Sequence, residues 1–289
     1  MGDASDTSRA AADRAAADLA AAGRAATDSA VADLTGLVRA AYEAEPLSFA
    51  AGPEQVYAAL AGALAAHVAP RLARARVLDL GAGTGVAGRA ALAAGAAQVA
   101  AADLAVGPLR QSRPLLSPVA ADAAALPFRD RSFAVVLAAF SLTHAGSLGA
   151  TLAESRRVGG VLAASAFAPG WGHPAKAAVD AVLARFGYRP PPWYVTFKRD
   201  TEPLLGDAPL VRELALAAGY SRVDSSVLTV PTGLSGAAEL AGWRLGMAHI
   251  APFASSLDIK RQAELRQAAA EAVRGCEPLT VRMLVHIAS

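Results

Sequence analysis

Residues 76–85 read Arg-Val-Leu-Asp-Leu-Gly-Ala-Gly-Thr-Gly, and the prediction of the fold starts from this stretch. Its apolar residues Val77, Leu78 and Leu80 predict a short buried strand, and an alanine-rich helical pattern follows the glycines. A strand that turns sharply into a helix needs glycine, because the turn uses backbone angles that are closed to other residues. Missing side chains also let a ligand lie against the backbone at the positive end of the helix. The stretch therefore predicts a nucleotide-type site at the end of a strand.

Two interpretations of the glycine pattern are open at this point. Residues 83–88 fit the G-x-G-x-x-G of a dinucleotide-binding unit. Residues 79–85 resemble motif I of the class I S-adenosylmethionine-dependent methyltransferases. Asp79 favours the second interpretation, because a carboxylate before the first glycine suits a cationic ligand better than a pyrophosphate, which it would repel. By that resemblance the cofactor-binding residues of the stretch are Asp79, Gly81, Gly83 and Gly85.

Length and composition describe an ordinary globular protein. The 289 residues can hold one large α/β domain with a cap, or two small domains. No apolar run approaches the roughly eighteen residues that span a bilayer, and the N-terminus lacks the apolar core of a secretory signal. We therefore expect a soluble, cytoplasmic protein. Cys276 is the single cysteine, which excludes an intrachain disulfide and a thiolate-rich metal site.

Charge gives no support for a nucleic-acid partner. The formal net charge is +2, and the only lysines are Lys176, Lys198 and Lys260. Such a weak and dispersed positive charge is not the electrostatic footprint of a nucleic-acid-binding protein. A small-molecule substrate is the expected partner.

Composition divides the chain into a tail and one domain. Residues 1–28 contain almost no large side chains, so we expect a frayed helix or a disordered tail before a single domain at 29–289. Helical periodicity predicts two helices within 31–69, the first carrying Tyr42 and the second starting at Pro53. In methyltransferases such helices lie over the cofactor, which makes Tyr42 and Phe49 candidates for cofactor or substrate contacts; core packing is the alternative.

A second acid follows the next predicted strand. Residues 96–102 read as this strand, and Asp103 comes eighteen residues after Gly85. This is the position at which dinucleotide-binding folds place a carboxylate that accepts the ribose hydroxyls. The role is shared by NAD and S-adenosylmethionine sites, so Asp103, with Leu104 beside it, indicates a ribose without naming the ligand. A solvated loop acid is the alternative.

Residues 122–136 distinguish the two cofactors. They read Asp-Ala-Ala-Ala-Leu-Pro-Phe-Arg-Asp-Arg-Ser-Phe-Ala-Val-Val and follow a short predicted strand that begins at Pro118. The run resembles the D-A-x-x-L-P-F-x-D-x-S-F-D-x-V pattern of the small-molecule branch of class I methyltransferases, which includes the ubiquinone-biosynthesis methyltransferases. Ala134 is a departure, because the pattern has Asp there. The resemblance implies that Asp122 faces the adenine amino group, that Ala123 offers its N–H to the ring, and that Leu126 packs on the adenine face.

The fourth predicted strand leads to the candidate catalytic residue. Residues 133–141 form an almost continuous apolar run, typical of a central parallel strand, and His144 follows shortly after. In the family this turn supplies backbone contacts to the cofactor's amino group, here from Phe140 and Ser141. Ligands bind at the carboxyl ends of such strands, so His144 would lie near the transferred methyl group and could take a proton from the acceptor. His173 is the second candidate base, and a histidine without a chemical role is the alternative.

Two segments of the second half are candidates for substrate binding. After a fifth strand at 161–167, residues 168–208 predict a substrate-facing loop, although a packing role is also open. A sixth strand at 223–230 and a seventh at 279–287 enclose residues 231–278, which predict a cap of two helices. The candidate substrate residues of the two segments are Trp171, Trp193, Tyr194, Trp243, Met247, His249 and Phe253.

The resemblance as a whole implies a fold, a cofactor and a reaction. The fold is an α/β, Rossmann-like class I methyltransferase with a seven-stranded, mostly parallel sheet, an antiparallel last strand and a helical cap. The cofactor is S-adenosyl-L-methionine, and the expected reaction is methyl transfer to an O or N atom of a small molecule, a secondary metabolite or a quinone-like ring, with no metal. Methylation of RNA or protein is the alternative activity. A protein that binds S-adenosylmethionine without catalysis is the alternative outside enzymes.

Overall fold

The computed structural model describes residues 34–44 and 46–289, so the predicted tail at 1–28 lies outside the described residues. Seven strands form one sheet: β1 (Arg76–Leu80), β2 (Gln98–Asp103), β3 (Ser117–Ala120), β4 (Phe133–Ala139), β5 (Gly159–Phe167), β6 (Val223–Pro231) and β7 (Thr280–Ala288). Their order in the sheet is β3-β2-β1-β4-β5-β7-β6. The first five strands pair in parallel, and β7 is antiparallel to both β5 and β6. The prediction of a mostly parallel sheet with an antiparallel last strand is confirmed.

The strand order places a ligand-binding edge at β1. The chain moves outward from β1 to β2 and β3, and then returns to the other side of β1 with β4. Helices that follow β1 and β4 therefore leave the sheet in opposite directions, which opens a crevice at the carboxyl ends of these strands. Strand β1 is buried from Val77 onward, because it pairs on both sides and is covered on both faces.

Thirteen helices are described, in addition to short 3₁₀ and π turns. Those on the amino-terminal half are α1 (34–44), α2 (Pro46–Ala50), α3 (Pro53–His67), α4 (Ala69–Leu72), α5 (Val86–Ala93), α6 (Val106–Arg110) and α7 (Leu148–Val158). The others are α8 (Pro174–Arg185), α9 (Pro192–Thr196), α10 (Ala208–Ala217), α11 (Ala237–Leu245), α12 (Ala251–Ser256) and α13 (Ile259–Ala272). Helices α3, α5, α8, α11 and α13 contribute to the core on one face of the sheet, and α7 and α10 to the core on the other.

The helix predicted from Pro53 forms as expected. Val56, Leu60 and Leu64 are almost fully buried on one side of α3, and Pro53 stands at its first turn. Proline is favoured there because its missing N–H would have no partner within the helix. The helix predicted around Tyr42 is also present, as α1.

Two segments differ from the prediction. The segment 168–208, predicted as a loop, is largely helical: α8 occupies Pro174–Arg185, and α9 continues through further helical turns to Gly206. Its prolines hid the helices, because proline suggests a loop although it stands at the first turn of both α8 and α9. The cap at 231–278 has three helices instead of two, because α12 begins beside Pro252 as a separate short helix.

Within the described ranges, no helix combines the length and apolarity that a membrane crossing requires. The same ranges contain no group of three or more His, Cys, Asp or Glu residues arranged to hold a metal ion.

Candidate active site

The glycine loop between β1 and α5 forms the base of a cleft. Gly81, Gly83 and Gly85 have φ angles of +66°, +52° and +87°, a left-handed region that disfavours other residues. The N–H groups of Gly81 and Ala82 donate to the carbonyl of Ala102 at 2.8 and 3.0 Å, which ties the loop to the end of β2. A Cβ on Gly81 would collide with Ser141, whereas a Cβ on Gly83 would project into open space. The backbone at Gly83 is therefore accessible to a ligand.

Asp79 supports this loop from behind. Its side chain is 1% exposed, and its Oδ2 accepts a hydrogen bond from the N–H of Gly88 in α5 at 2.7 Å. Burial, with the neighbouring Asp103 charge, raises the pKa of Asp79 to about 7, against the opposing effects of the Gly88 N–H and Arg89. Gly85 packs against Ser112 and Leu116. Asp79 and Gly85 thus stand behind the wall of the cleft, instead of facing a ligand as the sequence predicts.

Asp103 closes the loop from the β2 side. Its Oδ2 accepts from the N–H of Gly83 at 2.7 Å and its Oδ1 from the N–H of Ala105 at 2.8 Å. Burial raises the pKa of Asp103, and the backbone N–H groups partly offset that effect. A carboxylate has about four acceptor positions, so two remain for a ligand. Asp103 and Leu104 both line the cleft.

The far end of the cleft contains the predicted adenine residues. Asp122 and Ala123 line it, and the Asp122 Oδ1 accepts from the N–H of Ala124 at 2.8 Å. Leu126 does not line the cleft: it is 5% exposed and belongs to the core beneath α7. This position in the core gives no support to the predicted contact between Leu126 and adenine.

Glu154 and Arg157 of α7 hold the segment that follows. The Arg157 Nε donates to Glu154 Oε1 at 2.7 Å, and its other nitrogens donate to the carbonyls of Leu126 and Phe128 at 2.9 and 2.7 Å. Glu154 in turn accepts the N–H of Leu126 at 2.8 Å. These bonds hold residues 126–128, which follow Asp122 in the chain.

The turn after β4 crosses the cleft beside the glycine loop. Phe140 adopts φ +58°, which is rare for an aromatic residue and is found mainly where the surrounding structure enforces it. The Ser141 hydroxyl donates to the carbonyl of Leu80 at 2.6 Å, and the Phe140 N–H donates to Ser165 at 3.1 Å. Both residues line the cleft, as predicted.

Helix α1 covers the cleft from the opposite side. Val38, Arg39 and Tyr42 line it, and the Glu43 carboxylate accepts from the N–H of Val106 at 3.2 Å. The enclosed volume is about 170 Å³. Tyr42 therefore lies where the sequence predicts, on the ligand side of its helix.

His144 lies at the inner end of the cleft. Its Nε2 is 3.3 Å from the Tyr42 hydroxyl, and its ring stacks on Phe197 with centroids 4.6 Å apart. Nδ1 is buried and has no hydrogen-bond partner. Burial lowers the pKa of His144 to about 4, so the imidazole is neutral at pH 7. A neutral imidazole with an unpaired nitrogen can take a proton from a bound molecule.

A second cavity, the inner cavity, adjoins the cleft and has a volume of about 70 Å³. Four residues line both spaces: Tyr42, Tyr57, Phe140 and His144. Further ring side chains on its wall are Phe167, Trp193, Tyr194, Phe197 and His249. Met247 and Glu202 also line the inner cavity. The predicted substrate residues Trp193, Tyr194, Met247 and His249 are thus brought together here.

A buried ion pair holds the far wall of the inner cavity. Arg244, 5% exposed, donates to Asp180 of α8 through Nε at 2.7 Å and Nη2 at 3.1 Å. Its Nη1 is 3.2 Å from His249 Nε2. Arginine can only donate, so this His249 nitrogen accepts and the ring proton is on Nδ1. Burial, with the charges of Arg244 and Lys176, lowers the pKa of His249 to about 2.

Four predicted site residues lie elsewhere. Trp171 donates from Nε1 to the carbonyl of Thr280 at 3.1 Å, and stacks on the outer side of Phe167. His173 caps α8, where its Nδ1 accepts the N–H of Ala175 at 3.2 Å. Trp243 is 4% exposed in the core around α11, and Phe253 packs on Tyr188 with centroids 5.3 Å apart. None of these four lines the cleft or the inner cavity.

Sequence reasoning misses several residues of the cavity wall, among them Tyr57, Phe167 and Glu202. Helical periodicity places Tyr57 on the buried face of α3, because periodicity cannot distinguish a core face from a cavity wall. Phe167 ends β5 at the ligand edge of the sheet, so the rule that ligands bind at carboxyl ends could have identified it. Glu202 carries no sequence signal, because its position depends on how the helical turns after α9 fold back.

The described residues fit S-adenosylmethionine. The open space above Gly83 is where a ligand could lie against backbone, and two acceptor positions of Asp103 suit ribose hydroxyls. At the inner end of the cleft, Nδ1 of His144 is a buried polar atom without a hydrogen-bond partner. Of the described residues, two carboxylates, Asp103 and Asp122, line the cleft together with one cation, Arg39, which is paired with Glu43 at 3.5 Å; this balance suits a cationic ligand better than a pyrophosphate.

Comparisons with known proteins agree with this geometry. Residues 78–164 match the family model described as a methyltransferase domain. A solved structure described as a methyltransferase from an antibiotic biosynthesis pathway of Anabaena variabilis is 16% identical over 78% of this chain and 96% of that chain, with a TM-score of 0.54. A type II methyltransferase structure from Anaeromyxobacter dehalogenans is 22% identical over 78% and 93% of the chains, with a TM-score of 0.49. No curated protein sequence matches.

At such low identity the Anabaena structure shows the shared fold, and the match at residues 78–164 covers the glycine loop, Asp103, Asp122 and His144. The sheet order, with its antiparallel β7, is that of the same class. Residues 78–164 carry a methyltransferase domain, and the chain has the fold of the class I S-adenosylmethionine-dependent methyltransferases, whose cofactor is S-adenosylmethionine.

Proposed function

We propose that this enzyme transfers a methyl group from S-adenosylmethionine to an O or N atom of a small molecule that occupies the inner cavity. The observation that carries the proposal is that Tyr42, Tyr57, Phe140 and His144 line both the cofactor cleft and the inner cavity. The two ligands would meet at these four side chains. A second binding space that adjoins the cofactor cleft is what a two-substrate transfer requires.

In this proposal, different residues of the chain bind three parts of the cofactor. The exposed backbone at Gly81 and Gly83, with Phe140 and Ser141, holds the methionine portion. Asp103 and Leu104 hold the ribose, and Asp122 with the Ala123 N–H holds the adenine. Tyr42 covers the cofactor from α1. When bound, S-adenosylmethionine supplies an electrophilic methyl group on a positively charged sulfur.

His144 has the role of base. Its pKa of about 4 keeps the imidazole neutral at neutral pH, and its unpaired, buried Nδ1 can accept a proton in the tautomer whose Nε2 carries the ring hydrogen and donates it to the Tyr42 hydroxyl. The hydroxyl of Tyr42, at 3.3 Å from Nε2, orients the ring, and Phe197 stacks on it. The surrounding rings exclude water, which strengthens the polar interactions inside. Positioning and desolvation therefore account for most of the catalysis we propose.

The size of the inner cavity favours a small acceptor. The volume is about 70 Å³, and ring side chains wall it on several sides, which leaves no room for a bulky acceptor. A macromolecular acceptor would have to insert one side chain or one unstacked base past α1, and the weak net charge of +2 offers little attraction for RNA.

Isothermal titration calorimetry with S-adenosylmethionine and S-adenosylhomocysteine tests the cofactor part on the full chain. Transfer of a labelled methyl group is then measured against a panel of phenols and amines, against bulk RNA and against protein. Labelled small molecules support the proposal. Label in RNA or protein alone would replace it by the macromolecular alternative, and tight binding with no transfer to any acceptor would favour a non-catalytic role.

A further inference from the structure

The wall of the inner cavity carries one carboxylate. Among its described lining residues, Glu202 is the only acidic or basic side chain apart from two histidines. Both histidines have pKa values far below 7, at about 4 for His144 and about 2 for His249, so they are neutral. A ligand in the cavity therefore meets a negative group and no positive one on the wall itself.

Three cations lie nearby, but each is engaged with a carboxylate. Arg244 is paired with Asp180 through two nitrogens, and Lys176 lies 3.7 Å from the same carboxylate. Lys198 forms an ion pair with Glu202 one helical turn away. None of these three cations lines the inner cavity. An anionic ligand would therefore contact no positive group on the wall, whereas Glu202, although paired with Lys198, lies on the wall and has further acceptor positions.

The Glu202 charge reaches the rings of the cavity. Burial is the main cause that raises the pKa of Tyr194; the Arg244 charge opposes this rise, and the Glu202 charge adds to it by less than Arg244 opposes it. Trp193 and Tyr194 stand edge to face with centroids 5.7 Å apart. Aromatic faces attract cations through their quadrupole, and a carboxylate beside them adds a charge-assisted hydrogen bond. This combination favours an ammonium group.

Glu202 and His144 differ in the spaces that they line. His144 lines both the cofactor cleft and the inner cavity, whereas Glu202 lines the inner cavity alone. A group bound at Glu202 therefore lies within the inner cavity, and a group bound at His144 lies where the cavity meets the cofactor cleft. The ring side chains of the cavity wall suit a flat ligand.

We propose that the acceptor is a small aromatic molecule with an amine tail, and that Glu202 is a specificity-determining residue. The amine binds at Glu202, the aromatic ring lies among the ring side chains, and a ring hydroxyl or ring N–H donates to His144 Nδ1 and receives the methyl group. This inference rests on the function proposed above and narrows its substrate class.

Binding of three matched phenols tests the inference without turnover. The full chain is first saturated with S-adenosylhomocysteine, and affinities are then measured by calorimetry for tyramine, 4-ethylphenol and 3-(4-hydroxyphenyl)propionate, whose tails are cationic, neutral and anionic. Tyramine should bind about tenfold more tightly than 4-ethylphenol, because one charge-assisted hydrogen bond contributes about that factor to the affinity. The propionate should bind most weakly of the three. In Glu202→Gln the tyramine advantage should disappear while 4-ethylphenol keeps its affinity within about twofold.

Glu213→Gln, an exposed position on α10, is the matched control and should leave all three affinities unchanged. Equal affinities for the three tails, an equal loss of all ligands in Glu202→Gln, or no binding of any phenol would overturn the inference. Failure of the proposed function has a different signature: S-adenosylhomocysteine would not bind, or labelled methyl groups would reach RNA or protein alone, or no acceptor at all. Thermal unfolding of Glu202→Gln, compared with Glu213→Gln, reports whether the variant is folded. If Glu202→Gln proves unfolded, Glu202→Asp, which keeps the charge and shortens the arm, should retain part of the tyramine preference.

Discussion

The hydroxyl of Tyr42 lies 3.3 Å from Nε2 of His144, although 102 residues separate them in the chain. Tyr42 belongs to α1, which covers the cofactor cleft, and His144 belongs to the turn after β4, at the edge of the sheet. Burial, with the Asp103 charge, raises the pKa of Tyr42, so its hydroxyl stays protonated. The helix that covers the cofactor thus also orients the proposed base.

Tyr42→Phe should lower turnover about three- to tenfold, because it removes one hydrogen bond to His144 and keeps the ring on the cavity wall. Single-turnover transfer of labelled methyl groups measures the effect. A double-mutant cycle with His144→Ala isolates the interaction, because the tyrosine change should have no further effect once the imidazole is gone. Additive losses in the double variant would mean that the two residues act separately.

His144→Ala should reduce turnover by about 10²- to 10³-fold, the range typical of general bases, with cofactor affinity changed less than about threefold. His173→Ala is the matched control, since both histidines are candidate bases by sequence but His173 caps α8. The control should lose about 1 kcal/mol of stability and none of its turnover. A catalytic loss at His173 equal to that at His144 would contradict the placement of the base.

Gly83→Ala and Gly81→Ala should fail in different ways. Both glycines have positive φ, which costs alanine roughly 1–2 kcal/mol. At Gly83 the added methyl group projects into the cleft, so the fold survives and S-adenosylmethionine affinity falls by about tenfold or more. At Gly81 it meets Ser141, so thermal unfolding shifts to a clearly lower temperature. Similar melting temperatures for the two variants would show that the loop adapts more easily than its contacts suggest.

Sequence patterns predicted the cofactor half of the site better than the acceptor half. Gly81, Asp103 and Asp122 follow strands whose order the pattern determines, so their common edge could be inferred. The sequence places Asp79 in contact with the ligand, because a motif shows which residues recur together and does not show which of them support the others. Trp171, Trp243 and Phe253 show that aromatic content alone cannot separate a cavity wall from a core. That distinction depends on helix orientation, which is set by packing of α8, α9 and α11.

Asp103→Ala should weaken S-adenosylmethionine binding by about 10- to 100-fold, since the carboxylate both holds the Gly83 N–H and offers acceptors to the ribose. Calorimetry measures the affinity. Asp130→Ala, on an exposed acid paired with Arg157 outside the cleft, is the control and should bind normally. An unchanged affinity in Asp103→Ala would mean that the ribose binds elsewhere.

Asp79→Asn should make the cofactor-free protein relatively more stable as pH rises. The pKa of Asp79 is about 7 in the folded state and 3.8 as its ordinary value, so the wild type loses stability as pH rises between those values, where the carboxyl is ionised in the unfolded chain but still protonated in the folded protein. The asparagine keeps an acceptor for the Gly88 N–H and does not ionise. The difference in unfolding free energy should therefore shift in favour of the variant by about 2–3 kcal/mol between pH 5 and pH 8.

Urea denaturation at each pH measures this difference directly. The lowered pKa values of His144 and His249 act in the opposite direction, because stability falls as pH drops below about 6.5 and the unfolded imidazoles take up protons. Both proteins contain these histidines, so their contribution cancels in the comparison. A difference that stays constant from pH 5 to pH 8 would show that Asp79 ionises normally, and that the carboxylate behind the glycine loop is stabilised by more than its bond to Gly88.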